Sequence, residues 1–516
     1  CGLYPFQKTK IWFKERSQVA TNDFVVEKIQ AKLNSFQSQI ESFDHCHQMV
    51  DRYATYLLWD LYKPLIQKND TREKLIISIH IQDKYLRLHE TLLQILMQAG
   101  FISQNSKQVI TITEKGNSQE TNSILNNLEI EKKSIISKFD DSKPMFTLLH
   151  ACVEQLLPIL SGKVKSVEVM FPSGDVSNVE NVYKKNEILK IYSQMVAEFV
   201  RGFVEEKTKE NAGQLIQILE IGAGTGGTSA FVFDALEGLT TNLQYTYTDI
   251  SGGFLQHGKN SYGSSRPFIQ FKVLDIEKDL SIQNFTLGTY DIVLASNVIH
   301  ATKCIQKTIS NAQSLLKKGG ILLLNETTKV LNFTTLTFGL ADGWWLYEDE
   351  NVRLPDAPLV SASQWCSIFR ENEFVNVRAL GCQLEKDETF QHLILGVSNK
   401  DIQVAKKNDH SPAAIQKVKS EHKLLLNAIL PKVQAITKEA SGIDIKDLKP
   451  DVNLFELGLD SLMLMAMKDR IEKEFSISMD TGLFYSEADT LNKISQYIEH
   501  HTTPVSAPTS SVELGN

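Results

Sequence analysis

The chain has 516 residues, of which 42% are hydrophobic and 22% charged, so it exceeds what one hydrophobic core usually supports and we expect two or three domains. Its formal net charge of -8 disfavours nucleic-acid partners, because binding to phosphates normally needs a basic patch. The six cysteines lack CxxC spacing and no apolar run approaches the ~20 residues of a membrane span, so we expect a cytoplasmic protein without a disulfide framework, metal site or membrane contact.

The first part of the chain is predicted to be mainly helical. The opening residues, CGLYPFQKTKIWFKE, lack an initiator Met and are typical of a linker from a longer protein, which we place at 1–21. From 22 to 205, apolar residues recur at three- and four-residue spacing in runs such as YATYLLWDLYKPLIQ. No chemistry is evident there. We interpret this segment as a helical lid or docking region.

From 206 to 398 the pattern changes to short β-rich runs that alternate with helices. Five strands are predicted in QLIQILEI, LQYTYTDI, FIQFKVLDI, YDIVLASNVIH and GGILLLNETT. This alternation favours a parallel sheet covered on both faces, with its ligand crevice at the carboxyl ends of the strands. Two later strands, FVNVRALG and FQHLILGVS, could form a hairpin at one edge.

The run ILEIGAGTGG, at 218–227, predicts a turn that binds a nucleotide cofactor. Its glycines let the backbone approach a ligand closely, and the helix expected near Thr228 offers unpaired N–H groups. A turn of this kind also suits simple packing or a dinucleotide. The next two strands end in Asp249, which is placed to take two ribose hydroxyls, and in Asp275, which could hold an adenine amine.

A histidine and a glutamate follow two successive strands of the predicted sheet. His300 comes at the end of YDIVLASNVIH and Glu326 at the corresponding point of GGILLLNETT. A lone histidine after a strand is more often structural than catalytic. A neighbouring carboxylate would fix its tautomer, raise its basicity and stabilise the imidazolium, so we predict a general base, His300, oriented by Glu326.

A separate motif lies near the end of the chain. The polar segment 399–418 is typical of an exposed linker, and a compact helical region is predicted over 419–500. Within it, LFELGLDSLM presents Ser461 at the start of an amphipathic helix. A serine at this position is ordinarily only a helix cap. The remaining residues, 501–516, are rich in Pro, Ser and Thr and are predicted to be a disordered linker.

These motifs together resemble two known protein families. The segment 185–397 resembles class I S-adenosylmethionine-dependent methyltransferases, in which the glycine turn faces the methionine part of the cofactor and the two acids bind ribose and adenine. The DSL sequence around Ser461 resembles acyl or peptidyl carrier proteins, in which that serine carries 4′-phosphopantetheine. The predicted cofactor-binding residues are Glu220, Gly222, Gly224, Gly226, Asp249, Asp275 and Asn297.

Further segments resemble the methyltransferase domains of modular polyketide synthases. These are SNVIHAT, LLLNETT and LTFGLADGWWLYEDENVRLPDAPLVSASQW, and the resemblance implies that His300 and Glu326 form a catalytic dyad. The run MFPSGDVSNVENVYKKN resembles the segment between lid and core, which puts Tyr183 near the substrate entrance. The opening YPFQKTKIWF resembles the linker that follows an acyltransferase domain.

The resemblances imply a Rossmann-like class I methyltransferase with a seven-stranded, mostly parallel sheet and an N-terminal helical lid, followed by a four-helix-bundle carrier protein. We expect methylation of a carrier-tethered β-ketoacyl intermediate at its α-carbon. The alternatives are methylation of the enol or β-hydroxyl oxygen by the same dyad, or an inactive spacer domain. Expected partners are the ketosynthase and acyltransferase domains of a parent synthase and a phosphopantetheinyl transferase.

Overall fold

A computed structural model describes residues 23–401, with gaps at 24, 68–69, 173–176, 212, 342 and 384–388. It also describes 418–502, with gaps at 442–447, 453, 455–458, 460, 476, 478, 480–482 and 485–487. The predicted linker 1–21 and most of those at 399–418 and 501–516 lie outside the described residues. The chain divides into two compact units, one of 1–249 with 258–404 and one of 250–257 with 405–516.

The N-terminal region of the first unit is built from helices. In the longest of them, Val50, Tyr53, Ala54 and Leu58 are fully buried, as expected from their three- and four-residue spacing. The helices include α1 (Gln37–Tyr62), α2 (Arg72–Ile79), α3 (Leu86–Gln98), α4 (Glu114–Asn117), α5 (Gln119–Asn126), α6 (Leu128–Lys138), α7 (Lys143–Glu154), α8 (Leu156–Leu160), α9 (Ser166–Met170), α10 (Ser177–Lys184) and α11 (Glu187–Glu210).

The same region also contains a small antiparallel sheet that the sequence analysis did not predict. Its strands are β1 (Asp70–Thr71), β2 (Ile102–Gln104) and β3 (Val109–Ile112), in the order β1-β3-β2. Each strand is only two to four residues long, too short for an alternating pattern to stand out against the neighbouring helices.

A seven-stranded sheet forms the second layer of this unit, which confirms the predicted fold class. Its strand order is β6-β5-β4-β7-β8-β10-β9. The first five strands in this order are parallel, and β10 pairs antiparallel with both β8 and β9. The strands are β4 (Ile216–Ile221), β5 (Leu243–Asp249), β6 (Ile269–Val273), β7 (Tyr290–Ser296), β8 (Leu316–Thr327), β9 (Phe374–Leu380) and β10 (Gln391–Ser398).

Helices connect these strands, as the alternating pattern predicts. Strand β8 begins at Leu316, three residues before the predicted start, because Leu316 already pairs with Tyr290 across a register shift. The connecting helices are α12 (Gly227–Ala235), α13 (Gly252–Gly258), α14 (Ile305–Leu315), α15 (Asn332–Thr337) and α16 (Ala362–Glu371).

Helix α15 ties the helical region to the sheet. It follows β8, yet its Phe333 and Leu336 belong to the hydrophobic core of the helical region. The Phe333 N–H donates to the Asp51 carboxylate on α1 at 2.8 Å, and burial raises the pKa of that carboxyl to about 6. The helical layer is thereby held over the carboxyl ends of β7 and β8.

The second unit is described in part. It contains the helices α17 (Val418–Ser441), α18 (Ser461–Phe475) and α19 (Leu491–Thr502). Its hydrophobic core includes Val433, Met467, Ile471 and Ile494. Across the described part of the chain, no helix is both long and apolar enough to cross a membrane.

Candidate active site

Three glycines shape the turn between β4 and α12. Gly222, Gly224 and Gly226 all have positive φ, at +62°, +57° and +81°, a conformation that L side chains rarely adopt. A Cβ at Gly222 would lie 2.5 Å from Val298 Cγ1, so the turn packs tightly against the segment after β7. A Cβ at Gly224 would meet no atom within 4 Å. The turn is therefore held by contacts on one side and open on the other.

The two predicted acids lie at the carboxyl ends of neighbouring strands. The Asp249 carboxylate, at the end of β5, accepts a hydrogen bond from the Gly224 N–H at 2.9 Å. Asp275, just after β6, is partly buried, accepts from the Glu277 N–H at 3.0 Å and lies 3.4 Å from the Lys278 ammonium. The open glycine turn and the two carboxylates lie at the carboxyl ends of three adjacent strands, β4, β5 and β6, where the ribose and adenine of S-adenosylmethionine would find hydrogen-bond acceptors. The residues present fit this cofactor.

Glu220 has a different environment from the other predicted cofactor residues. Its carboxylate is 2% exposed and accepts hydrogen bonds from Ser229 Oγ and Tyr245 Oη, both at 2.7 Å. Burial raises the pKa of this carboxyl to about 7. These bonds join β4 to α12 and β5, so Glu220 braces the glycine turn. A direct contact with the cofactor stays a prediction.

Asn297 links the ends of β7 and β8. Its φ of +52° lies in the left-handed region, which asparagine tolerates better than most residues. Its Oδ1 accepts hydrogen bonds from the N–H and the hydroxyl of Thr327, each at 2.9 Å. The side chain therefore lies beside the histidine turn, at the edge of the sheet where the predicted site residues meet.

His300 and Glu326 are brought together as predicted from their strands. His300 Nδ1 lies 2.6 Å from Glu326 Oε2, and both residues are buried. The other carboxylate oxygen, Oε1, accepts from the N–H groups of Val298 at 3.1 Å and Ile299 at 2.9 Å. Because Nδ1 donates to the carboxylate, the neutral imidazole keeps a lone pair on Nε2, where no described residue forms a hydrogen bond. This geometry suits a general base.

A cavity of about 260 Å³ opens in front of this pair. Helical-region and sheet-region residues line it together, and most of the wall is apolar. Tyr183 lies in the wall, 43% exposed, with its ring 5.8 Å from that of Phe338. The Trp344 ring lies 6.3 Å from the imidazole of His300. Other lining residues are Met145, Leu189, Asn297, Phe333, Leu359 and Phe390.

Two residues of the site, Arg353 and His47, were not predicted from the sequence. The guanidinium of Arg353 is fully buried, pairs with Asp349 at 2.6 Å, and donates to the backbone carbonyls of His300 at 2.5 Å and Thr302 at 2.7 Å. It thus holds the turn that carries the base. His47 is buried in the cavity wall, and that burial lowers its pKa to about 4. Neither residue had a sequence signal beyond its type.

The predicted attachment serine lies in the second unit. Ser461 is the first residue of α18, as expected from the amphipathic pattern. The preceding residue, Asp460, lies outside the described residues.

Comparisons with known proteins agree with these observations. A methyltransferase-domain family model matches residues 219–322, and a phosphopantetheine attachment-site model matches 431–498. The polyketide synthases PksR and PksM of Bacillus subtilis (strain 168) are 33% and 32% identical over 76% and 70% of this chain. The chain spans only 16% and 9% of the length of these two relatives.

The matches to two solved structures cover nearly the whole length of those chains. The crystal structure of the DszA carbon methyltransferase is 31% identical, with a TM-score of 0.65, and the match covers 72% of this chain and 93% of that one. The CurJ carbon methyltransferase is 27% identical, with a TM-score of 0.62, and the match covers 74% and 99%. A methyltransferase domain of this kind uses S-adenosylmethionine, and the attachment-site domain carries covalent phosphopantetheine. The chain therefore belongs to the methyltransferases of polyketide synthases, with a carrier domain on the same polypeptide.

Proposed function

We propose that this chain methylates the α-carbon of a β-ketoacyl intermediate that is tethered as a thioester to its own carrier domain, with His300 as the general base. The observation that carries the proposal is the buried hydrogen bond between His300 Nδ1 and Glu326 Oε2 at the wall of an apolar cavity. The segment 399–418, between the methyltransferase and carrier regions, is too short to hold a reductase. The β-keto group therefore reaches this site intact unless a partner reduces it first.

The chain's own residues carry the proton transfer. His300 Nε2 removes the α-proton, and the electron pair of the broken C–H bond spreads over the two carbonyl groups of the enolate. Glu326 keeps Nδ1 protonated and stabilises the imidazolium that results. When bound, S-adenosylmethionine supplies an electrophilic methyl group, and the α-carbon of the enolate takes it. A positioned general base typically contributes about 10²–10⁴-fold to the rate.

The cavity wall contributes by orientation and by exclusion of water. Phe333 and Phe338 come from the segment that follows β8, Phe390 directly precedes β10, and together they leave the imidazole facing an apolar space. Fewer waters around the enolate strengthen its interactions with the fixed groups of the site. Holding the acyl chain in one orientation also lowers the entropic cost of bringing the reacting carbon to the methyl donor.

Carbon is favoured over oxygen as the methyl acceptor for a chemical reason and a comparative one. A β-ketoacyl thioester presents an acidic α-carbon directly to a base. The DszA and CurJ proteins, which this chain resembles along most of their lengths, are both described as carbon methyltransferases. The same His300–Glu326 pair would also activate an enol or hydroxyl oxygen. The structure of the methylated product therefore distinguishes carbon methylation from oxygen methylation.

The test is the acid stability of the methylated product. The full chain is loaded with an acetoacetyl-phosphopantetheine arm by a phosphopantetheinyl transferase, supplied with S-adenosylmethionine, and analysed by mass spectrometry before and after mild acid. We expect one added methyl that survives acid, because an α-methyl group is stable whereas an enol ether hydrolyses. Loss of the methyl mass would contradict carbon methylation. The Ser461→Ala variant, as a control, should gain no arm; if it does, the attachment site lies elsewhere.

A further inference from the structure

The amide of Asn297 has an orientation that its neighbours determine. The Thr327 N–H can only donate, so the Asn297 atom 2.9 Å from it must be the amide oxygen, Oδ1. The Thr327 hydroxyl reaches the same oxygen at 2.9 Å, and Gln391 Nε2 approaches it at 3.5 Å. The Thr327 N–H alone is enough to assign Oδ1, because the Thr327 hydroxyl also lies 3.0 Å from Gln391 Oε1 and has only one proton to donate. The NH₂ group, Nδ2, is therefore fixed on the opposite side.

Nδ2 is left with two N–H donors at the wall of the reaction cavity. Asn297 lines the cavity together with His300, three residues further along the chain. No hydrogen bond from Nδ2 to another described residue is present. The residue is partly buried, and its φ of +52° shows that the backbone is held in an uncommon conformation to place the side chain there. A fixed, unused donor beside a general base is the arrangement that stabilises a developing oxyanion.

We infer that Asn297 is a catalytic residue whose Nδ2 donates a hydrogen bond to the substrate carbonyl oxygen that becomes negative when the α-proton leaves. The inference rests on the proposed function and adds the group that lowers the barrier to enolate formation. His300 takes the proton on Nε2, the C–H electron pair moves toward the carbonyl oxygen, and the Nδ2–H bond to that oxygen strengthens. No charge is left on Asn297, and the methyl transfer that follows returns the oxygen to a neutral carbonyl.

Two substitutions separate a donor from a structural role. Asn297→Gly suits the positive φ and removes the whole amide. Asn297→Asp keeps an oxygen that can accept from the Thr327 N–H but puts a second oxygen in place of the donor. Removal of one oxyanion donor typically costs about 10²–10³-fold in kcat, so we expect both variants to lose about that much methylation. Asn284→Gly is the matched control, because Asn284 is exposed and also has a positive φ, +59°.

The decisive readout needs no methyl transfer. Exchange of the α-hydrogens of acetoacetyl-pantetheine for deuterium, above the spontaneous rate in D₂O, is measured with the full chain and S-adenosylhomocysteine. We expect both Asn297 variants to lose this enhancement while their dissociation constants for S-adenosylmethionine stay close to the wild-type value, which also reports that they fold. The control variant should exchange like the wild type.

Two results would overturn the inference alone. If Asn297→Asp still accelerates α-hydrogen exchange, the residue serves only to hold Thr327. If both variants exchange the α-hydrogens normally but bind S-adenosylmethionine more weakly, Nδ2 binds the cofactor instead. A wild-type chain that neither exchanges the α-hydrogens nor forms an α-methyl product would instead overturn the proposed function, and the inference with it.

Discussion

Glu220 is a buried carboxyl group whose contacts stay inside the protein core. Ser229 and Tyr245 both donate to it, and burial raises its pKa to about 7. Because its folded-state pKa is above the ordinary value of 4.5, the folded chain holds this proton more tightly than the unfolded chain does. Its contribution to stability is therefore complete below about pH 4.5 and is lost as the pH rises through about 7.

The Glu220→Gln variant should remove this pH dependence. Relative to the wild type, its free energy of unfolding should rise by on the order of 2 kcal/mol between pH 5 and pH 7.5. Urea unfolding followed by tryptophan fluorescence checks this, since Trp59 and Trp365 are buried in the same unit. Buried histidines such as His47 and His392, whose pKa values fall to about 4, also make the unfolding free energy depend on pH. They do so equally in the variant and the wild type, so their effect cancels in the difference. If the difference in unfolding free energy between Glu220→Gln and the wild type does not change with pH, the expectation is wrong.

At the level of single residues, the sequence predicted the His300–Glu326 pair but not Arg353, which holds the histidine turn in place. His300 and Glu326 could be paired because parallel strands end at the same edge of a sheet, so two residues at strand ends are neighbours. Arg353 could not be assigned, because its burial depends on how the segment after α15 folds back onto the histidine turn. A loop without periodicity carries no signal of that path.

At the level of secondary-structure elements, the turn after β4 contains one glycine needed for packing, Gly222, and one that leaves room for a ligand, Gly224. A Cβ at Gly222 would overlap Val298, whereas one at Gly224 would enter open space, so both need a left-handed backbone but only the first needs extra room. The open side of Gly224 is where a ligand can approach the backbone. The left-handed conformation itself costs a non-glycine residue about 1–2 kcal/mol.

Gly224→Ala should weaken S-adenosylmethionine binding by about tenfold or more while lowering stability by only about 1–2 kcal/mol, the backbone cost alone. Gly238→Ala is the matched control, because Gly238 also has a positive φ, +81°, and equally open surroundings outside the turn. Calorimetric titration with the cofactor distinguishes the two variants. Equal affinities in both would mean that the turn does not contact the cofactor.

The strands of the large sheet were predictable and the small sheet was not, for one physical reason. Buried parallel strands such as β4 and β7 are nearly continuous apolar runs, and glycine or acidic residues mark where they end. The strands β1, β2 and β3 are short and partly exposed, so their pairing depends on tertiary contacts. The order of β9 and β10 likewise follows from pairing with β8, which the local sequence does not specify.

For the whole molecule, the arrangement places a methyltransferase and a carrier domain on one polypeptide. The sequence could predict both because each family has a short motif with fixed spacing, the glycine turn and the DSL serine. It could not predict that α15, which follows β8, would pack into the core of the helical region and complete the cavity in front of His300. The site therefore depends on two layers of the first unit, with the base from one and much of the apolar wall from the other.

The most direct test of the central claim is the methylation rate of the His300→Ala variant on the acetoacetyl-loaded full chain. We predict that this variant binds S-adenosylmethionine with wild-type affinity but methylates at least about 10²-fold more slowly, the usual contribution of a general base. His45→Ala, which alters an exposed histidine outside the cavity, should keep the wild-type rate. A His300→Ala variant that methylates the loaded chain at the wild-type rate would contradict the account.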